Sequence, residues 1–149
     1  MEKINAIIML EVMGRPASYI KKSLSEITEN LNKEKGIKIT KKKINTPKKI
    51  ENSLFLSFAE IELEAENIAS LSRIIFSYMP SHIDIIKPQD LGVSNFDLSA
   101  VFNEIIRKLH EYDAVAKAMI FEKNIILNQL EQKGIKINLP DTNKENTKN

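Results

Sequence analysis

Residues 53–64 read Ser-Leu-Phe-Leu-Ser-Phe-Ala-Glu-Ile-Glu-Leu-Glu, and the fold turns on this stretch. Side chains along a β-strand point alternately to opposite faces of the sheet. The odd positions give Phe55, Ala59, Ile61 and Leu63, an apolar face. The even positions give Leu54, Leu56 and Phe58, then Glu60, Glu62 and Glu64, so the other face turns acidic at one end. Such a strand belongs in a sheet with one face packed and the other at least partly wet.

The segments on either side supply the rest of that sheet. Residues 4–13, Ile-Asn-Ala-Ile-Ile-Met-Leu-Glu-Val-Met, are short, apolar and free of breakers, and predict a buried strand. Gly14-Arg15-Pro16 stops it, with Pro16 expected at the first helical position, where a missing N–H costs nothing. Ile20, Leu24, Ile27 and Leu31 then recur at helical spacing, predicting a helix over roughly 16–34 that Gly36 ends. Residues 37–45 begin as a strand with Ile37 and Ile39 and become strongly basic, and Thr46-Pro47-Lys48-Lys49 reads as a loop. Beyond the central strand, Asn67 is placed to cap a second helix reaching about Met79, with Ile68, Leu71, Ile75 and Tyr78 on one face. Pro80-Ser81 breaks it, His82–Ile86 makes a fourth strand, and Pro88 closes that strand. The order β-α-β-β-α-β predicts an α+β, ferredoxin-like sandwich over residues 1–90. Right-handed crossovers would order its strands 4-1-3-2, with both helices on one sheet face.

A different periodicity follows. Leu98, Phe102, Ile105, Leu109, Tyr112, Ala116, Met119, Lys123, Ile126 and Leu130 alternate steps of four and three, and Lys123 alone interrupts the apolar series. This is a heptad seam sustained over about four and a half repeats, the pattern of a coiled coil. It predicts a long C-terminal amphipathic helix within residues 94–133, about 57 Å long at 1.5 Å per residue. That exceeds the roughly 30 Å diameter of a 90-residue domain, so the helix is expected to project, fold back or pack along a partner. Residues 134–149 are polar and expected to be disordered, although Ile135, Ile137 and Leu139 alternate as a short strand would.

Composition narrows the function classes. The chain has 149 residues, 42% hydrophobic and 28% charged, enough for one real core and an extension. With 22 Lys and Arg against 20 Asp and Glu, the net charge of +2 favours no class of partner. The absence of cysteine excludes disulfides, thiolate metal sites and a cysteine nucleophile within these residues. Met1-Glu2-Lys3-Ile4-Asn5 does not open a signal peptide, and no apolar run approaches a membrane span, so a cytoplasmic location away from membranes is expected. No phosphate loop, dinucleotide fingerprint, nucleophile elbow or zinc-protease motif occurs, so neither a cofactor nor catalysis is expected.

Four groups of residues are candidates for chemistry. In a 4-1-3-2 sheet the end of the first strand, the turn after the second and the start of the fourth are expected at one edge. Arg15, Lys48, Lys49, Ser81 and His82 would then converge beside the helix opened by Pro16, as a site for a carboxylate or phosphate. Turn chemistry and solvated side chains explain the same residues without a ligand. Lys41, Lys42 and Lys43, at the centre of a basic run over Lys33–Lys49, are candidates for phosphate-backbone contact. That run has no aromatic platform for stacking bases and also suits an edge strand guarded against pairing. An RRM shares this topology, but the first strand here carries no aromatic residue. Glu60, Glu62 and Glu64 read as a solvated face or as partners for the lysines. His110, three residues before Asp113, reads as part of a solvated helix face rather than as a metal ligand.

Apolar surface points elsewhere. The first strand is apolar on both faces, with Ile7, Met9 and Met13 on the face away from the helices, and Leu54, Leu56 and Phe58 join them. Two helices cover one face only, so the second face is expected to need a partner or the C-terminal helix. In topology and in the turn Gly14-Arg15-Pro16, residues 4–87 resemble ACT-type regulatory domains. That resemblance implies small-ligand binding, often of amino acids, at the turn after the first strand and against a paired subunit's sheet. The Gly14-Arg15-Pro16 and Tyr78-Met79-Pro80-Ser81 segments also resemble those of small uncharacterised archaeal proteins. The leading expectation is a non-catalytic interaction or oligomerisation module. Its interface would be the seam residues Leu98, Phe102, Ile105, Leu109, Tyr112, Met119, Ile126 and Leu130, its partner another protein or a second copy of itself. The alternatives are an ACT-like regulator binding a small anion, and an RNA- or ribosome-associated protein using the lysines.

Overall fold

In the computed structural model, residues 3–135 are described. The element order is β1 (Ile4–Gly14), α1 (Ala17–Leu31), β2 (Ile37–Ile44), β3 (Lys48–Lys49), β4 (Phe55–Ala65), α2 (Ile68–Tyr78), β5 (His82–Lys87) and α3 (Asn95–Gln132). The long strands are ordered β2-β4-β1-β5, and the short β3 pairs with β4. With β3 set aside, this is the β-α-β-β-α-β succession and the strand order expected from handedness. All pairings are antiparallel. The chain divides into two compact units, Met1–Arg107 and Lys108–Asn149, and the boundary falls within α3.

The core of the first unit follows from period two. Ile4, Ala6, Ile8 and Leu10 of β1 are buried, as are Ala59, Ile61, Leu63 and Ala65 of β4. Each set meets the other in register, with Ile8 opposite Ile61 and Ala6 opposite Leu63. Ile20, Leu24 and Leu31 from α1 and Leu71 and Ile74 from α2 complete this core. Burying one such aliphatic side chain contributes about 1.5–3 kcal/mol, so the layer is held chiefly by apolar contact. The buried polar groups are satisfied locally. Thr28 Oγ1 donates to the Leu24 carbonyl at 2.6 Å, and Ser57 Oγ donates to the Asn45 carbonyl at 2.6 Å.

Several local expectations change. Lys48 and Lys49 pair with Leu56 and Phe55 as a two-residue strand rather than lying in a loop. A short 3-10 turn, Glu51–Ser53, precedes β4, so β4 starts at Phe55 instead of Ser53. Pro16 is extended (φ −75°, ψ 171°) and caps α1 from outside, accepting from Tyr19 N at 3.1 Å, rather than opening the first turn. The polar tail expected over residues 134–149, with its Ile137 and Leu139 alternation, lies from residue 136 onward outside the described residues.

Helix ends are set by capping chemistry. The Asn67 side chain accepts from Ser70 N at 2.8 Å, as its position predicts. Ser94 caps α3: its Oγ accepts from Asp97 N at 3.0 Å and donates to the Asp97 carboxylate at 2.6 Å. At the other end Gly134 (φ 73°) takes the left-handed conformation. There Gly134 N bonds the Glu131 carbonyl at 2.9 Å and Ile135 N bonds the Leu130 carbonyl at 3.0 Å, the paired bonds of a Schellman motif.

Two positions yield measurable consequences. Gly36 has φ +78°, and a Cβ there would lie 2.6 Å from Ser70 Oγ, which also accepts from Arg73 Nη2 at 3.1 Å. Gly36→Ala is therefore expected to lower unfolding free energy by about 1–3 kcal/mol, read as a reduced urea midpoint at unchanged slope. Tyr78 donates its phenol to Glu34 at 2.8 Å. Burial first, then that carboxylate, pushes the Tyr78 phenol from 10.0 up to about 12. The folded chain thus holds this proton more tightly than the unfolded one. The resulting stability is present below pH 10.0 and fades as pH rises through about 12. An absorbance titration should show a phenolate step at about 12 that Tyr78→Phe removes.

Candidate interaction surface

The sheet face turned away from α1 and α2 is a mosaic set by register. Glu60, Glu62 and Glu64 of β4 stand opposite Met9, Ile7 and Asn5 of β1 on one side. On the other side they stand opposite Lys43, Lys41 and Lys38 of β2. Lys41 Nζ reaches Glu62 at 3.0 Å, and Lys3 Nζ reaches Glu64 at 3.2 Å. The hydrogen bond to Glu62, and then that carboxylate's charge, raise the Lys41 ammonium above its ordinary 10.5. On β5, His82 and Asp84 lie opposite Met9 and Ile7, and their side chains meet at 3.0 Å. Ile7 and Met9 are therefore bordered by ionic groups on both sides. Continuous apolar surface on this face is confined to its far end, where Met13 stands opposite Leu56 and Glu11 opposite Phe58. Toward the opposite end of the face, Asn5, Ile7, Thr40, Glu62 and Ile86 border a shallow depression open to solvent.

Register also decides which candidate residues come together. Gly14, Phe55 and Lys49 form one row across β1, β4 and β3, so Arg15 and Lys49 reach the same end of the sheet. Ser81 and His82 do not. Ser81 N bonds the Met9 carbonyl at 2.8 Å, and His82 stands opposite Met9. Met9 is five residues from Gly14, or about 17 Å along a strand. The expected five-residue convergence thus separates into two places.

The basic run is split as well. Lys41 and Lys43 stand opposite Glu62 and Glu60, whereas Lys42 stands opposite Ile61 and belongs to the helix-bearing face. Three consecutive lysines on a strand do not make a one-sided phosphate-binding stripe. Among the described residues no group of three His, Asp or Glu side chains is placed to hold a metal ion. No helix among them is long and apolar enough to cross a membrane.

α3 presents an extended row of exposed apolar side chains. It has no buried residue. Along the seam, Leu98, Phe102, Leu109, Tyr112, Met119 and Ile126 are all exposed, Leu109 at 61% and Met119 at 65%. Ile105 and Leu130 are half-buried. Three ion pairs lie within the helix: Arg107 with Glu104, Lys108 with Glu111 at 3.2 Å, and Lys117 with Asp113 at 2.6 Å. Such neighbouring pairs support a helix, each by a few tenths of a kcal/mol. Reading only the seam understates the apolar stripe. With Leu98 at heptad position d, Ile106 and Ile120 fall at e and Val115 at g, and all three are exposed. A conventional two-stranded coil carries charges at e and g. The signal was present in the sequence, in the flanks of the heptad rather than its centre.

The molecule is thus an α+β protein in which a four-stranded antiparallel framework, extended by one short strand, precedes a long capped helix. The MJ0538 family model matches residues 5–125, and the chain belongs to that family, named after an archaeal protein. The match runs from β1 to Ile125 of α3, so the helix is part of the family's pattern rather than an appendage. No curated protein and no solved structure matches the chain.

Proposed function

We propose that this protein is a non-catalytic interaction module that assembles with a second copy or another protein through α3, assisted by the apolar end of the open sheet face. The observation that carries this reading is the state of the helix. Its ends are capped and several of its charges are paired within it, yet most of its row of large apolar side chains stays exposed. A long helix ordinarily draws its stability from burying an apolar stripe. An exposed apolar patch of several hundred Å² marks an interaction site on a soluble protein. Light scattering coupled to size exclusion should give the full chain at least twice its monomer mass. Leu109→Glu combined with Met119→Glu, both at exposed positions, should return it to monomer with unchanged helical content. A monomeric wild type would remove self-association.

A second reading, a small-ligand regulator of the ACT type, is favoured by one observation: Arg15 and Lys49 share an end of the sheet beside the start of α1. If it holds, an amino acid or nucleotide should raise the melting temperature of the wild type but not of Arg15→Ala. A ligand screen without any shift counts against it.

A further inference from the structure

Resting on the assembly reading, we infer that two copies of α3 pair antiparallel about a two-fold axis near Ala114. The seam runs from Leu98 to Leu130, and Ala114 lies midway. Antiparallel pairing about that point puts Leu98 opposite Leu130 of the second copy and Tyr112 opposite Ala116 of the second copy. Every seam position then meets another seam position.

Lys123 distinguishes the two possible directions. In a parallel, in-register pair each seam residue meets its own counterpart, so two Lys123 ammonium groups would face each other between the helices. Like charges juxtaposed at a desolvated interface are strongly disfavoured, and polar residues at seam positions select register and direction in this way. In the antiparallel pair Lys123 instead faces Ile105 of the second copy, and its stem lies along apolar surface while its head reaches solvent. A charge at a seam position is thus tolerated in one direction and repelled in the other.

The flanks agree with the antiparallel direction. Lys108 and Glu122 both fall at g positions, and antiparallel pairing brings each opposite the other twice, once on either side of the axis. It also brings Ile106 opposite Ile120 of the second copy, both of them exposed in the single chain. Asp113 falls near the axis and meets its own counterpart, but Lys117 already neutralises it at 2.6 Å. Parallel pairing offers a comparable flank contact, Lys108 to Asp113, so the seam lysine decides between them.

The chain contains no cysteine, which permits a clean test. Leu98→Cys and Leu130→Cys are prepared in the full chain and oxidised under mild conditions, separately and as an equal mixture. An antiparallel pair places each new thiol about 48 Å from its own counterpart at 1.5 Å per residue. The expected result is a disulfide-linked dimer in the mixture and none in either variant alone. Efficient linking of Leu98→Cys with itself means parallel pairing and overturns the antiparallel arrangement while leaving assembly intact. No linking in any arm, from a chain that scatters as a dimer, also overturns it, because the copies then meet through another surface. A chain that scatters as a monomer overturns this inference and the self-association it rests on together.

Discussion

The pairing of β1 with β4 is the constraint on which the rest of the first unit depends. Eleven residue pairs, from Ile4 opposite Ala65 to Gly14 opposite Phe55, run without a shift. Both strands are period-two sequences, so a slip of one residue would turn Glu60, Glu62 and Glu64 into the core and Ile61 and Leu63 out of it. Desolvating even one unpaired carboxylate costs several kcal/mol, so the alternative registers are closed. With that ladder set, α1 and α2 have a single apolar face to cover, and β2 and β5 add at the sheet's two edges.

Much of this was legible in the sequence because each element carried its own period and its own punctuation. β1 and β4 alternate, α1 repeats every three or four residues, and Gly36, Asn67 and Pro80 stand at the ends. What was not legible depends on how loops close. The two-residue β3 has no periodicity to read, and only its contact with β4 makes it a strand. The proposed gathering of Arg15, Lys48, Lys49, Ser81 and His82 assumed that β5 begins level with the end of β1. The segment after α2 instead delivers Ser81 to Met9, and His82 pairs with Asp84 on the open face. Topology was readable, but the offset of one strand along another was not. For the same reason the lysines read as a cluster in one dimension, whereas in register they oppose a row of glutamates.

α3 obeys a different logic from the sheet. None of its residues is fully buried, and its boundaries come from local chemistry: Ser94 with Asp97 at the start, Gly134 at the end, and ion pairs a turn apart between them. Those interactions are worth only tenths of a kcal/mol to about one each. They account for where the helix starts and stops. They do not account for a stripe that adds Ile106, Val115 and Ile120 to the seam, because a helix stabilised by its own caps and charges has no need of exposed isoleucines. A stripe of this width is what the proposed assembly through α3 would bury.

Both edges of the sheet carry features that discourage pairing with another chain. β2, one edge, carries Lys38, Lys41, Lys42 and Lys43, and its register shifts between Ile39 and Lys41. β5, the other edge, is six residues long, meets β1 with a register shift at Asn5 and Ala6, and is followed at once by Pro88. Charge, bulges, short length and proline are the means by which sheet edges are kept from pairing with another chain. Both edges are therefore guarded, and the middle of the open face is interrupted by Glu60, Glu62, His82 and Asp84. Along the α3 seam, Lys123 is the one charge among large apolar side chains. Blocked strand edges and an exposed helical seam are consistent with the proposed association through α3.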